Sequence, residues 1–403
     1  MKKKTLFALF IILCVCGSCS NSVILGLEGN ADTLNIDKCR LQDEILFSSV
    51  FGKPKTIFLE KNPTCVIQNV YSMDILGDKI FILDDKSQAL YVFDSHGKYL
   101  GHVGEKGNGH GEYIELSDFS VDRENKYLYL WDWGKSSALK YDLNTFKFVS
   151  SVKVKEEGAY SFGFQFLNGD FYLNRTSNST DEQNYELRRI DGKTGTQIDS
   201  YLSSKDYNEG FNMPLGLTNS LFYSKNTKSP KYVGMFSNTI VSLSDKNVTP
   251  KYVIESKEFM NELDIQTFLK QSKEKISTNS DEMVKQNKYF AISGISEFSN
   301  YISFHLFKGL DRRYVLFNRK TRKLEFARTF VNDYLSETFI PMEICYSDKK
   351  GVVAYISPDL LPAFKQAICS NGLLKKNIDG YERLKNLEAG SNPVLFFFPI
   401  KYE

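Results

Sequence analysis

KIFILDDKSQALYVFDSHGKYLGHVGEKGNGHGEY, residues 79–113, is the stretch from which the fold is read. Two solid apolar runs, 80–83 and 90–93, each end in an aspartate, Asp84 and Asp94. A Gly97-Lys98 turn follows, then a short run over 99–103 and a loop carrying Gly104, Gly107, Gly109 and Gly111. Short strands joined by tight polar turns describe an antiparallel meander. An aspartate suits a strand end because its carboxylate accepts bonds from nearby backbone N–H groups.

The same grammar recurs one unit later. YLYLW ends at Asp132 and ALKY at Asp142, each 48 residues after its counterpart. A repeat of about 40–50 residues rich in short strands is the signature of a β-propeller blade. A third unit spans 160–202, with a hairpin signal at Asn168-Gly169. A fourth covers 211–254. The fifth covers 290–332, with Asn318 in the place of the turn aspartate. The sixth begins near 339, with a hairpin around Lys349-Lys350-Gly351. Residues 256–288 and 358–389 break the rhythm with helical spacing. Six units of this length over 48–403 leave the room those two stretches need; seven do not. The expected fold is therefore all-β, a six-bladed β-propeller with short helical insertions. Its ring is closed by the run 394–398 pairing with strands from the N-terminal part, for which 55–60 and 65–71 are strand-like. Such closure removes exposed sheet edges.

Composition agrees with a large β core: of 403 residues, 42% are hydrophobic and 14% aromatic. The chain opens MKKKTLFALFIILCVCGSC: three lysines, an apolar run, then small residues before Cys19. This reads as a signal peptide over 1–18, too short for a bilayer span. Cys19 follows a lipobox-like ending in which Cys16 replaces the usual leucine. Lipidation there would hold the protein on a membrane, with 19–47 as lipidated N-terminus and tether. The expected address is the cell envelope, on the outer membrane, with either face open. Cleavage removes three lysines and no acid, changing the net charge from +2 to −1. A neutral surface argues against nucleic acid. Cys39, Cys65, Cys345 and Cys369 permit two disulfides in three pairings, or four buried thiols.

The chain after about residue 50, most strongly over 72–142, resembles the TolB-like six-bladed propeller lipoproteins common in Bacteroidetes. Phe93-Asp94 and Gly97-Lys98 match that family's turn. Gly107, Gly109, Gly111, Glu112 and Tyr113 match its glycine loop, with His110 in place of the usual proline. Asn392-Pro393-Val394-Leu395 is similar to its closing strand. The resemblance implies the fold and an envelope location. It implies no reaction.

The chemistry-bearing residues divide unevenly. The glycine loop lacks the Gly-Lys-Ser/Thr of a Walker loop and the helix start of a dinucleotide fingerprint. Its expected role is an inter-blade connection in which Tyr113 packs and Glu112 bonds loop amides. His96, His102, His110 and His305 form no zinc motif, though His102 and His110 flank the loop and could meet there. No Gly-x-Ser-x-Gly elbow occurs. Asp84-Asp85 and Asp132 are similar to the acids of calcium-bound lactonases, but their recurrence at turns assigns them to the repeat; no cofactor is expected, calcium being the alternative. The sequons at Asn174 and Asn178 mark a surface loop. The function read from this is a monomeric, non-catalytic binding module for a glycan, peptide or envelope protein. The alternative is a metal-dependent hydrolase, lactonase-like, or a lyase, working at the central axis. The residues facing that axis discriminate: three or more converging Asp, Glu, Asn or His would favour the enzyme, aromatic and mixed polar groups the binder.

Overall fold

The computed structural model describes residues 27, 29–155, 161–174, 185–203, 222–244, 247–274, 285, 287–336, 342–366, 372–388 and 390–401. The signal peptide, Cys19, Cys369 and Asn178 lie outside the described residues.

Six sheets follow one another around a ring. Blade 1 holds Ser72–Leu76, Lys79–Asp84, Ala89–Asp94 and Tyr99–Val103. Blade 2 holds Leu116–Asp122, Tyr127–Asp132, Ser137–Asp142 and Phe148–Lys153. Blade 3 holds Phe164–Leu167, Asp170–Asn174, Tyr185–Asp191 and Gln197–Ser203. Blade 4 holds Phe222–Tyr223, Lys231–Tyr232, Thr239–Ser244 and Asn247–Glu255. Blade 5 holds Tyr289–Phe298, Tyr301–Lys308, Asp311–Asn318 and Leu324–Val331. Blade 6 holds Glu343–Asp348, Gly351–Ile356 and Val394–Pro399, completed by Lys55–Phe58 from the other end of the chain. First strands of neighbouring blades touch around the axis.

The solid apolar runs have a simple cause. Side chains alternate between the two faces of a strand, and here both faces are buried. In blade 1, Phe81 and Leu83 pack on Leu128 and Leu130 of blade 2. Ile80 and Ile82 point the other way, onto Val353 and Leu395 of blade 6. Comparable cores fill the remaining junctions, with Trp131 against Phe164 between blades 2 and 3, and Tyr172 near Tyr232 and Val241 between blades 3 and 4. Burying each such side chain contributes about 1.5–3 kcal/mol.

The ring closes as expected. Val394 to Phe397 pair with Phe58 to Lys55 on one side, and the same strand pairs with Ile356 to Gly351 on the other. Asn392 fixes the seam: its Oδ1 accepts from Ile67 N–H at 2.9 Å, and its Nδ2 donates to Glu60 O at 2.8 Å.

Three expectations need correction. Residues 65–71 form no strand; they are a connection into blade 1, carrying one isolated bridge between Asn62 and Cys65. Part of the 19–47 tether belongs to the ring: Asp32–Asn35 adds a parallel strand to the outside of blade 4, and Leu41–Leu46 adds one to blade 5. Both cover sheet edges that would otherwise stay open. Of the two readings left open for the cysteines, the unpaired one holds for those described: Cys39, Cys65 and Cys345 are free thiols. Asn174 is buried at the end of a strand, not on a surface loop, because its Oδ1 accepts from Gly163 N–H at 2.6 Å.

The first helical stretch contains α1, Glu262–Glu274. Asn261 and Asp264 cap it reciprocally, each accepting from the other's N–H. Its Ile265 and Phe268 pack on Phe236 of the blade 4 segment and on Phe290 and Phe307 of blade 5, so it covers that junction. The second stretch contains α2, Leu361–Phe364, and α3, Tyr381–Lys385.

Candidate functional site

A cavity of about 240 Å³ lies between the first strands of blades 1, 4, 5 and 6. Aromatic rings reach it from three of them: Tyr71 beside blade 1, Phe222 and Tyr223 from blade 4, Tyr346 from blade 6. Short hydroxyl side chains fill the spaces between, among them Ser72, Ser224, Ser293, Ser296 and Ser347. The Ser224 hydroxyl is buried with no hydrogen-bond partner. Such a group costs free energy unless something fills the gap. Burial pushes the Tyr71 and Tyr346 phenols up and the Cys345 thiol up, so all three stay neutral.

Charged groups at the axis are tied to one another. Lys225 of blade 4 reaches past blade 3 to blade 2, donating to Asp118 Oδ1 at 2.7 Å and to Phe119 O at 2.6 Å. The other Asp118 oxygen accepts from Phe164 N–H at 2.9 Å, so one carboxylate links three blades. Asp74 of blade 1 pairs with Arg123 of blade 2. Burial pushes both carboxyls up, and the facing cations pull them back. At the 4–5 junction Glu297 takes Lys231 at 2.8 Å and Arg319 at 3.2 Å. Arg312 and Glu343 face each other at 3.5 Å on the half-exposed rim. Asn226 Nδ2 donates to Ser347 O at 3.0 Å, linking blades 4 and 6.

His305 differs from these. It stands on the second strand of blade 5, opposite Ser293, where the register slips before Ser296. Gly294 occupies the slip with φ +60°, and a Cβ there would come within 2.8 Å of His305 Cε1. The missing side chain is what lets a second-strand imidazole line the cavity. The ring packs edge-on against Tyr314, 4.6 Å between centroids. Among the described residues nothing hydrogen-bonds to it. Burial, with the Arg312 guanidinium adding to it, drives its pKa down to about 3, so the imidazole is neutral.

The axis therefore carries both kinds of group named above as discriminating. Asp74, Asn226, His305 and Glu343 come from four blades, but the two acids are paired to arginines and the amide to a carbonyl. Among the described residues no three His, Cys, Asp or Glu side chains could hold a metal ion.

The sequence-selected residues lie elsewhere. Glu112 Oε2 accepts from Gly109 N–H at 2.7 Å, and a Cβ on Gly107 or Gly109 would strike that carboxylate. Lys135 Nζ donates to Glu112 O, and the Tyr141 hydroxyl donates to Gly111 O, both at 2.7 Å. Tyr113 is buried in the core between blades 1 and 2. His110 packs on Phe148, while His102 bonds Glu105 and Tyr99, so the two histidines have separate partners. The loop's polar groups are spent on the loop itself.

The repeating aspartates have two tasks. Asp94, Asp142 and Asp191, with Asn318, each accept backbone N–H bonds inside the turn that follows. Those bonds hold the three carboxyls below their ordinary range. Asp84 and Asp132 reach further. Asp84 takes Gln68 and Asn69 N–H, and Asp132 takes Ile114 and Glu115 N–H, latching the segment that enters the blade. Asn174 does this for blade 3.

Sequence reasoning missed Tyr71, Tyr223, Lys225, Gly294 and His305. One signal was present: a glycine inside the strand-like run YFAISGISEF marks a bulge or close approach.

These features define a six-bladed β-propeller with a small mixed aromatic and polar pocket on its axis. The chain belongs to the family described as "Domain of unknown function (DUF4934)", which matches residues 31–399. No curated protein matches it. Among solved structures, a "putative exported protein" of Bacteroides fragilis NCTC 9343 is 18% identical, with a TM-score of 0.73 over 93% of this chain and 100% of that one. A member of the DUF4221 family from Bacteroides vulgatus ATCC 8482 is 10% identical, with a TM-score of 0.53 over 88% and 98%. At these identities the likeness concerns the fold.

Proposed function

We propose that the protein is an exported, TolB-like envelope lipoprotein, held on the outer membrane through acyl chains on Cys19, whose propeller binds a small polar ligand without transforming it. The observation carrying the binding reading is the axial cavity: rings and hydroxyls from four blades around a space whose charges are already paired. Loops and strand ends on a rigid ring suit recognition. The ligand is a glycan unit, a short peptide or a segment of an envelope partner. The leader and the small-small-cysteine ending support the anchor, and the exported Bacteroides relative supports the address.

The test of the site is a plugged variant, Ser224→Trp. Mature protein is titrated with hexoses, N-acetylhexosamines and dipeptides. A ligand that binds wild type should fail to bind a plugged protein that still melts cooperatively. Equal affinity in both would place binding away from the axis and end this reading. For the anchor, Cys19→Ala should move the protein from the membrane to the soluble fraction; retention on the membrane would contradict lipidation there.

A further inference from the structure

We infer that the axial cavity takes one uncharged, hydroxyl-rich ring of about the size of a single pyranose, and that His305, displayed past Gly294, is the side chain that determines its specificity. The inference rests on the binding reading above and narrows it to a ligand class.

Size comes first. The cavity, about 240 Å³, falls below the roughly 300–1,000 Å³ of sites for drug-sized ligands. A space of that size suits a single ring rather than a whole peptide segment or oligosaccharide.

Charge is the second constraint. Asp74 is neutralised by Arg123, Lys225 by Asp118, and Glu343 faces Arg312. Among the described lining residues no charge is left over for an ionic ligand. An anion or cation entering would lose its hydration, and breaking the Arg123–Asp74 or Lys225–Asp118 pair would strand a buried carboxylate, while Arg312 and Glu343 stand half-exposed at the rim. A neutral polar ligand pays neither cost.

The third constraint is the pattern of hydrogen-bonding groups. A pyranose offers an apolar C–H face and a rim of hydroxyls, each both donor and acceptor. The cavity offers the complement. Tyr71, Tyr223 and Tyr346 supply aromatic surface, and Ser293 and Ser296 flank the gap at Gly294. The Ser224 hydroxyl is buried without a partner. His305 has one N–H donor and one bare nitrogen acceptor, neither engaged among the described residues. A neutral imidazole can therefore bond a vicinal pair of hydroxyls, donating to one and accepting from the other. Its edge-on contact with Tyr314 fixes the ring plane.

The bulge and the absent Cβ at Gly294 make room for the His305 imidazole beside the cavity. Tyr355, on the second strand of blade 6, lines it as well.

The experiment is calorimetric titration of mature protein with glucose, galactose, mannose and N-acetylglucosamine, each beside its charged relatives, the uronate and the 2-amino sugar. At least one neutral sugar should bind, and its charged forms should bind at least about tenfold more weakly. His305→Phe, which keeps a ring and removes both nitrogens, should lower that affinity by at least about tenfold. In wild type, the same sugar should shift one imidazole resonance of the four. That measurement needs no variant, so it decides the matter even if His305→Phe does not fold.

Tighter binding of a uronate or amine would overturn the neutral-ring inference. So would unchanged affinity in His305→Phe, an unmoved set of imidazole resonances, or no binding by any panel sugar. The wider reading is judged separately by Ser224→Trp. If the plug abolishes binding of a charged ligand, the axial site stands and only the ligand class falls. If binding survives the plug, the axial site falls as well.

Discussion

Blades 1 and 2 and the inner strands of blades 4 and 5 are built from the same four-stranded sheet, yet they differ in what is left unbonded. In blades 1 and 2 every recurring acid is spent on the backbone. Asp84 and Asp132 latch incoming segments, Asp94 and Asp142 close turns, and Glu112 fastens its own glycine loop. Blades 4 and 5 are irregular. The first two strands of blade 4 are two residues each, blade 5 slips register at Gly294, the Ser224 hydroxyl is buried without a partner, and the His305 imidazole lines the cavity. Register slips occur in blades 1 and 2 as well, but the bulge at Gly294 and the unpartnered Ser224 and His305 groups lie at the cavity.

The comparison can be broken most severely at the ring closure. Deleting 392–403 removes the strand that joins Gly351–Ile356 to Lys55–Phe58. Cooperative thermal unfolding should vanish, and a truncated protein melting near wild type would show that the ring does not depend on its seam.

Next is Asp118→Ala, which strands Lys225 with 11% of its side chain exposed. The expected loss is about 3–5 kcal/mol by chemical denaturation. Adding Lys225→Met should recover part of it. A double variant no better than the single one would mean that the pair's charge is not what holds blades 2 and 4 together.

The two classes of aspartate offer a finer contrast. Asp132→Ala removes the buried carboxylate that takes the Ile114 and Glu115 N–H groups of the entering segment and should cost about 1–3 kcal/mol. Asp142→Ala, at an exposed turn, should cost clearly less. Equal losses would erase the distinction between latch and turn.

A further contrast is in the pH dependence. His305 is held at about pKa 3, below the ordinary value of 6.5. The unfolded chain therefore binds a proton that the native one refuses, so His305 contributes stability above pH 6.5 that is lost as pH falls toward 3. Asp94, Asp142 and Asp191 act in a lower window, because their carboxyls lie below 3.8 and their contribution is lost only as pH drops through those depressed values. His305→Phe should flatten the decline in melting temperature between pH 6.5 and 4. An unchanged slope would show that the imidazole is not shielded from water in the native ring.

The legible part of the sequence matches this division. Solid apolar runs and aspartates at a fixed offset revealed the blades, because burial on both faces of a strand forbids the usual alternation. The pairing of 394–398 with 55–58 was legible because a ring needs closure. The parallel strands at 32–35 and 41–46 were not, since an added outer strand is set by the edge it covers and carries no repeat of its own. The cavity was hidden for a related reason. Lys225 meets Asp118, 107 residues away, only through the ring. His305 looks like any strand residue until Gly294 is placed opposite. The glycine loop was legible as a connection, and Glu112 takes the Gly109 amide as expected.

The most direct test is hydrogen exchange of the mature protein with and without a saturating ligand from the sugar titration. The account predicts added protection at 222–226, 293–296 and 343–347, and none at 104–113. Protection confined to 104–113, with the axial strands unchanged, would contradict it.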